Sequence, residues 1–147
     1  MLSHLSRYPE FRSLHKPSVK NIFILTGTNN VDNVYRGKEH INDAEQSLSN
    51  IFYKLWTLFG NAKINIISIL PRAHHGKNSV VNNLNGFIND LCRTHGLNFI
   101  DMRRAFTTQS GLRIDSLFSP GHDNVHLSDE GYCVLARHMK YLAHQVT

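Results

Sequence analysis

Short, continuous apolar runs alternate with longer amphipathic stretches along this chain. Ile22-Phe23-Ile24-Leu25 is apolar throughout, and Ile64 to Leu70, apolar except at Asn65 and Ser68, is a second buried-strand candidate, stopped by Pro71. Predominantly apolar runs of this length predict strands covered on both faces, as in a parallel sheet. Leu97 to Ile100 predicts a third, shorter strand. Between them, Ile41, Ala44, Leu48, Ile51, Leu55 and Leu58 recur at helical spacing, which predicts a helix over 41–59 closed by Gly60. Val81, Leu84, Ile88 and Leu91 do the same and predict a helix over 80–95, with Gly96 after its end. Ser128 is placed to cap a final helix. Asp129 and Glu130 stand in its first turn, and Tyr132, Leu135, Ala136, Met139 and Leu142 follow at helical spacing. The segment from Leu2 to His15 suits a first helix ending before Pro17. The stretches 26–30, 72–79 and 101–127 are expected to be turns or loops.

Helix, strand, helix, strand, helix, strand, loop, helix is an α/β order. It implies a parallel sheet with right-handed crossovers and helices on its faces. Chemistry in such sheets gathers at the carboxyl ends of the strands. Gly27-Thr28-Asn29-Asn30 lies at one of those ends. A chain of 147 residues suffices for one domain with a substantial core, and no internal repeat or linker interrupts it.

Composition narrows the picture only slightly. No apolar run reaches the roughly 18 residues of a membrane span. The N-terminal twenty residues lack the apolar core of a signal peptide, so an intracellular, cytoplasmic setting is expected. Cys92 and Cys133 are too few for a disulfide framework, and both are expected to be buried thiols on helices. The net charge is +5, with small basic clusters at Arg103-Arg104 and Arg72 to Lys77. That balance is compatible with weak polyanion binding without identifying it. A metal site from His74, His75, His122, His126 and Asp123 is disfavoured, because His122 and His126 straddle a predicted loop. No metal or cofactor is therefore assigned. Phosphate-loop and dinucleotide glycine patterns are absent.

The chemistry concentrates near the C-terminus, in Asp123-Asn124-Val125-His126-Leu127-Ser128-Asp129-Glu130-Gly131-Tyr132. A carboxylate three residues before a histidine can fold back on the imidazole, set its tautomer and stabilise its protonated form. That is the base half of a serine hydrolase site.

The Gly-x-Asn turn after a buried strand and the Asp-x-x-His before the last helix together resemble the SGNH (GDSL-type) hydrolases. The resemblance runs over essentially the whole chain, as a single domain spanning 1–147. It implies a three-layer α/β/α sandwich of the flavodoxin-like SGNH type and hydrolysis of small-molecule carboxylic esters. By the same resemblance His126 is the general base and Asp123 its orienting partner. Asn29 is the oxyanion donor and Gly27 the turn that brings Asn29 to the site.

The departures are as informative as the match. The family's nucleophilic Ser sits in a Gly-Asp-Ser turn after the first strand, and a second block supplies an oxyanion-hole Gly. Residues 1–26 hold neither glycine nor aspartate, and Asn30 replaces the usual Asp. The chain is thus expected to be an N-terminally incomplete domain, inactive as given. The strand at 22–25 is expected to present an open apolar edge, prone to self-association or to a partner chain. The alternative expectation is a non-catalytic binding or scaffold module. One form of it is the SGNH-like domain of some retroelements, with weak nucleic-acid binding.

Overall fold

In the computed structural model, residues 19–120 and 125–145 are described. The three predicted strands form one parallel sheet. Strand β1 (Asn21–Leu25) pairs with β2 (Lys63–Ile67), and β2 pairs with β3 (Asn98–Ile100), so β2 is central. The register sets Ile22 beside Ile64, Ile24 beside Ile66 and Ile67 beside Ile100. Helices α1 (Thr28–Tyr35), α2 (Ile41–Leu58), α3 (His75–His95), α4 (Arg103–Phe106) and α5 (Asp129–Gln145) surround it, with a 3-10 turn at Asp115–Leu117.

Side chains alternate along each strand, so the sheet has two apolar faces. One carries Ile22, Ile24, Ile64, Ile66 and Phe99. It packs on Val31 of α1, on Ala44, Leu48, Phe52 and Leu55 of α2, and on Val81, Leu84 and Ile88 of α3. The other carries Phe23, Ile67 and Ile100 and is covered by Phe106, Leu117, Phe118, Leu127 and Leu135. Helices on one face and α4, the 3-10 turn and α5 on the other make the three-layer α/β/α architecture expected from the sequence.

Several boundaries differ from the sequence reading. Residues 26–30, expected to be a turn, begin α1 at Thr28. Helix α3 starts at His75, five residues before Val80, because the His74 imidazole Nδ1 accepts the Gly76 N–H at 3.1 Å and caps the first turn. Histidine is not among the usual caps, so local propensity gave no sign of it. The second strand ends at Ile67, and Ser68, Ile69 and Leu70 continue as buried irregular backbone. Gly60 is not a left-handed cap, since α2 closes on Phe59, whose N–H donates to the Leu55 carbonyl at 2.9 Å.

The loop at 101–127 is largely organised. It holds α4, the 3-10 turn and antiparallel bridges between Thr107 and Arg113 and between Phe118 and Leu127. In α5 the buried side is Gly131 and Leu135, flanked by half-buried Val134 and Met139, while Tyr132 and Ala136 face outward. Cys92 is buried, and burial pushes its thiol up to about 11. Cys133, expected to be buried, is exposed. The expected helix at 2–15 lies outside the described residues.

Two buried polar side chains, Asn85 and Ser68, bond to backbone groups. Asn85, on the apolar stripe of α3, accepts from the Ile69 N–H at 2.7 Å and donates to the Ile69 carbonyl at 3.0 Å. Ser68 Oγ accepts from the Met102 N–H at 3.0 Å. These bonds lock the chain just beyond the carboxyl ends of β2 and β3, where a ligand site would be held. On the outer side of β1 no partner strand occurs among the described residues, and Leu25 at its end is 38% exposed. No helix among the described residues is long and apolar enough to cross a membrane.

Candidate active site

The carboxyl end of β1 turns sharply into α1 through Gly27, at φ 105° and ψ −10°. A side chain here would be strained, and a Cβ would stand 2.7 Å from Ile69 Cδ1 and 3.1 Å from Cγ1. Glycine is thus needed twice, for the left-handed backbone and for contact with the chain following β2. The Val31 N–H donates to the Gly27 carbonyl at 3.1 Å, closing the first helical turn. Asn29 falls in that turn and is exposed at the strand end. Asn30 donates its amide to the Glu39 carboxylate at 3.2 and 3.4 Å, so the position filled by Asp in the family motif is anchored here by an amide.

Helix α1 is tied down by a cluster that the sequence reading did not single out. Asp32 pairs with Arg72 at 2.9 Å and with Lys77 at 2.8 Å. The Arg72 side chain is only 5% exposed. Burial pushes the Asp32 carboxyl upward, but hydrogen bonds from Lys77 and Arg72, aided by their charges, outweigh it. The carboxyl rests below its ordinary value of 3.8. Tyr35 Oη meets His74 Nε2 at 3.3 Å, and Lys77 Nζ lies 5.7 Å from the Tyr35 ring centre. Arg72 is also held through its backbone, its N–H donating to Asn78 Oδ1 and its carbonyl accepting from Asn78 Nδ2, both at 2.7 Å. The turn carrying Asn29 is therefore braced against the N-terminus of α3. The only sequence signal was the basic cluster from Arg72 to Lys77, and nothing local showed that Asp32 would meet it.

His126 belongs to the opposite side of the sheet. Its carbonyl accepts from the Ser119 N–H at 2.7 Å, and its neighbour Leu127 is buried and bridged to Phe118. Ser128 then fixes the start of α5. Its N–H donates to the Leu117 carbonyl at 3.0 Å, its hydroxyl donates to the Ser116 carbonyl at 2.8 Å, and its Oγ accepts from the Gly131 N–H at 3.2 Å. The His126 main chain is thereby pinned between a bridge and a capped helix, while the residue itself is exposed. Gly27 and Asn29 share one turn, and His126 stands on a separate anchored loop. Asp123 and His122 lie outside the described residues. Chemically, this provides an exposed amide donor at a strand end and an exposed imidazole on a fixed loop. Among the described residues no group of three His, Cys, Asp or Glu side chains is placed to hold a metal ion.

Three solved structures share this arrangement of elements. A candidate platelet activating factor from Streptococcus pneumonia superposes with a TM-score of 0.66 at 22% identity, covering 85% of this chain and 60% of that one. A GDSL-like lipase from Bacteroides thetaiotaomicron gives 0.67 at 16% identity, covering 94% of this chain and 71% of that one. A candidate acylhydrolase from Bacteroides fragilis gives 0.62 at 16% identity, covering 93% and 69%. The chain thus spans 60% of the length of the Streptococcus protein. At these identities the superpositions establish the fold. No curated protein has a significant sequence match to the chain. The family model for GDSL-like lipases and acylhydrolases matches residues 3–134, nearly the whole chain, and the chain therefore belongs to the GDSL-like lipase/acylhydrolase family.

Proposed function

We propose that this chain forms the base and oxyanion half of a carboxylic ester hydrolase site. The observation that carries the reading is the family match combined with the Gly27 turn, which leaves Asn29 exposed at the carboxyl end of β1. In the reaction a serine hydroxyl attacks the ester carbonyl carbon, and His126 takes its proton. The Asn29 amide N–H donates to the oxyanion of the tetrahedral intermediate. Asp123 orients the imidazole and stabilises its cationic form. His126 then returns the proton to the departing alkoxide, leaving an acyl-enzyme and a free alcohol. Water attacks that acyl group with His126 again as base, regenerating the serine and releasing the acid.

No Gly-Asp-Ser turn occurs in the 147 residues, so the chain by itself is proposed to have little or no esterase activity. The test uses p-nitrophenyl acetate. The 147-residue chain should hydrolyse it no faster than free imidazole at equal concentration. Expressed with native upstream coding sequence that encodes a Gly-Asp-Ser turn, the longer protein should gain activity. His126→Ala should then remove it, and Asn29→Ala should lower kcat by about 100-fold or more. Undiminished turnover in His126→Ala would overturn the assignment.

A further inference from the structure

Asn29 sits in the first turn of α1, and little within that helix fixes its place. Eight residues are too few for a helix to hold by itself, since isolated helices shorter than roughly 12–15 residues are marginal in water. Gly27 offers no side-chain cap, and the first turn holds no acidic residue. The position of Asn29 is therefore set by what α1 touches. Val31, fully buried, anchors the inner face of the helix in the core. Asp32 anchors it beside Asn29, because residues three apart are neighbours on a helix surface.

The partners of Asp32 are themselves held. Arg72 Nη2 and Lys77 Nζ converge on one carboxylate oxygen, Oδ1, at 2.9 and 2.8 Å. Lys77 belongs to the first turn of α3, and Arg72 is tied to that turn by its two backbone bonds with Asn78. Arg72 Nη1 is buried and finds no hydrogen-bond partner among the described residues, so the guanidinium depends on Asp32 for its charge balance. Such a pair is a poor device for stability alone. Desolvating two charges offsets much of their attraction, and apolar replacements of a whole pair are often as stable. What the pair does supply is a fixed distance and direction between α1 and α3. A catalytic donor needs that, since its placement must hold to within about 0.5 Å.

We infer that Asp32 is a positioning residue for Asn29, holding the first turn of α1 against Arg72 and Lys77 so that the Asn29 amide keeps its place at the strand end. The inference rests on the oxyanion role proposed for Asn29. Asp32 acts through Asn29 and not on the substrate. Removing its charge frees the turn to shift, and a displacement of about 1 Å at a reacting group costs up to about 100-fold in rate.

The first test uses the 147-residue chain and nuclear magnetic resonance. Asp32→Asn should move the Asn29 side-chain amide resonances. It should also speed hydrogen exchange at the Val31 N–H, which closes the first turn onto the Gly27 carbonyl, by roughly tenfold or more. Lys77→Met loosens the same anchor from α3, far from Asn29 in sequence, and should move the same resonances. Leu91→Ala thins the core at the far end of α3 and should leave them in place. Unmoved Asn29 resonances in both Asp32→Asn and Lys77→Met would overturn the inference.

The second test uses the longer protein that carries the Gly-Asp-Ser turn, with p-nitrophenyl acetate. Asp32→Asn should lower kcat by about tenfold with KM unchanged, less than the loss from Asn29→Ala. Leu91→Ala should keep kcat. Asp32→Asn combined with Asn29→Ala should be no slower than Asn29→Ala alone, because the positioned group is already gone. Full kcat in Asp32→Asn beside a slow Asn29→Ala would overturn the positioning role alone, as would losses that simply multiply in the double variant. Full kcat in Asn29→Ala would remove the oxyanion reading, and the positioning role with it.

Discussion

Replacing Gly131 by Ala sets two rules against each other. Gly131 lies in the first turn of α5, where helix propensity alone favours Ala by about 1 kcal/mol. The tertiary contact says the reverse. A Cβ at Gly131 would fall against the Leu117 carbonyl oxygen, far inside the 3.0 Å that such atoms respect. It would also meet the Leu117 carbonyl carbon at 3.0 Å and Leu127 Cδ2 at 3.1 Å. Leu117 is backbone in a 3-10 turn and has no rotamer with which to escape. The helix end must shift by about 1 Å, in a region packed too closely to absorb it. That shift stretches the bonds from Ser128 N to the Leu117 carbonyl, now 3.0 Å, and from Ser128 Oγ to the Ser116 carbonyl, now 2.8 Å. Overpacking of about 1–3 kcal/mol and two bonds of about 1 kcal/mol each exceed the propensity gain, giving a net loss of about 2–4 kcal/mol.

Urea unfolding followed by far-UV circular dichroism measures it, with Gly86→Ala as the internal control. Gly86 is also helical but exposed, and a Cβ there meets nothing within 4 Å, so that change should stabilise by about 0.5–1 kcal/mol. If Gly131→Ala matched Gly86→Ala in sign, the claimed seat of α5 on the 3-10 turn would be wrong. So would the account of how the His126 loop is held.

Other changes follow the same logic. Gly27→Ala combines a positive φ with a 2.7 Å approach to Ile69 Cδ1 and should cost about 2–3 kcal/mol; a neutral midpoint in urea would contradict the need for glycine there. Asp32→Asn should destabilise by about 2 kcal/mol at neutral pH, because it leaves the buried Arg72 guanidinium short of its charge partner. Since the folded carboxyl lies below its ordinary value of 3.8, its contribution is complete above that pH and is lost as pH falls through the lowered folded value. The gap between wild type and Asp32→Asn in urea midpoints should therefore close on acidification below pH 3.8, and a gap independent of pH would refute the ion-pair account.

The sequence by itself determined the three strands, the order of layers and most helix faces. These signals are local: an apolar run or a repeat near four residues is decided by neighbours along the chain. It also carried the family resemblance, through Gly27-Thr28-Asn29 and the residues around His126. What it missed depends on partners far away in the chain. The early start of α3 rests on a histidine cap. The rotation of α5, with Tyr132 and Ala136 outward, follows from Gly131 seating on a carbonyl of Leu117, a contact that periodicity does not encode. Asp32 carries no local signal of its role until folding brings Arg72 and Lys77 within 3 Å of it. Asn85 reads as a flaw on an apolar stripe until it closes two hydrogen bonds with Ile69. Only the tertiary structure set His75 and Asn78 of α3 across one cleft from Arg103 and Arg104, because two parallel strands end side by side and carry the segments that follow them to the same edge of the sheet.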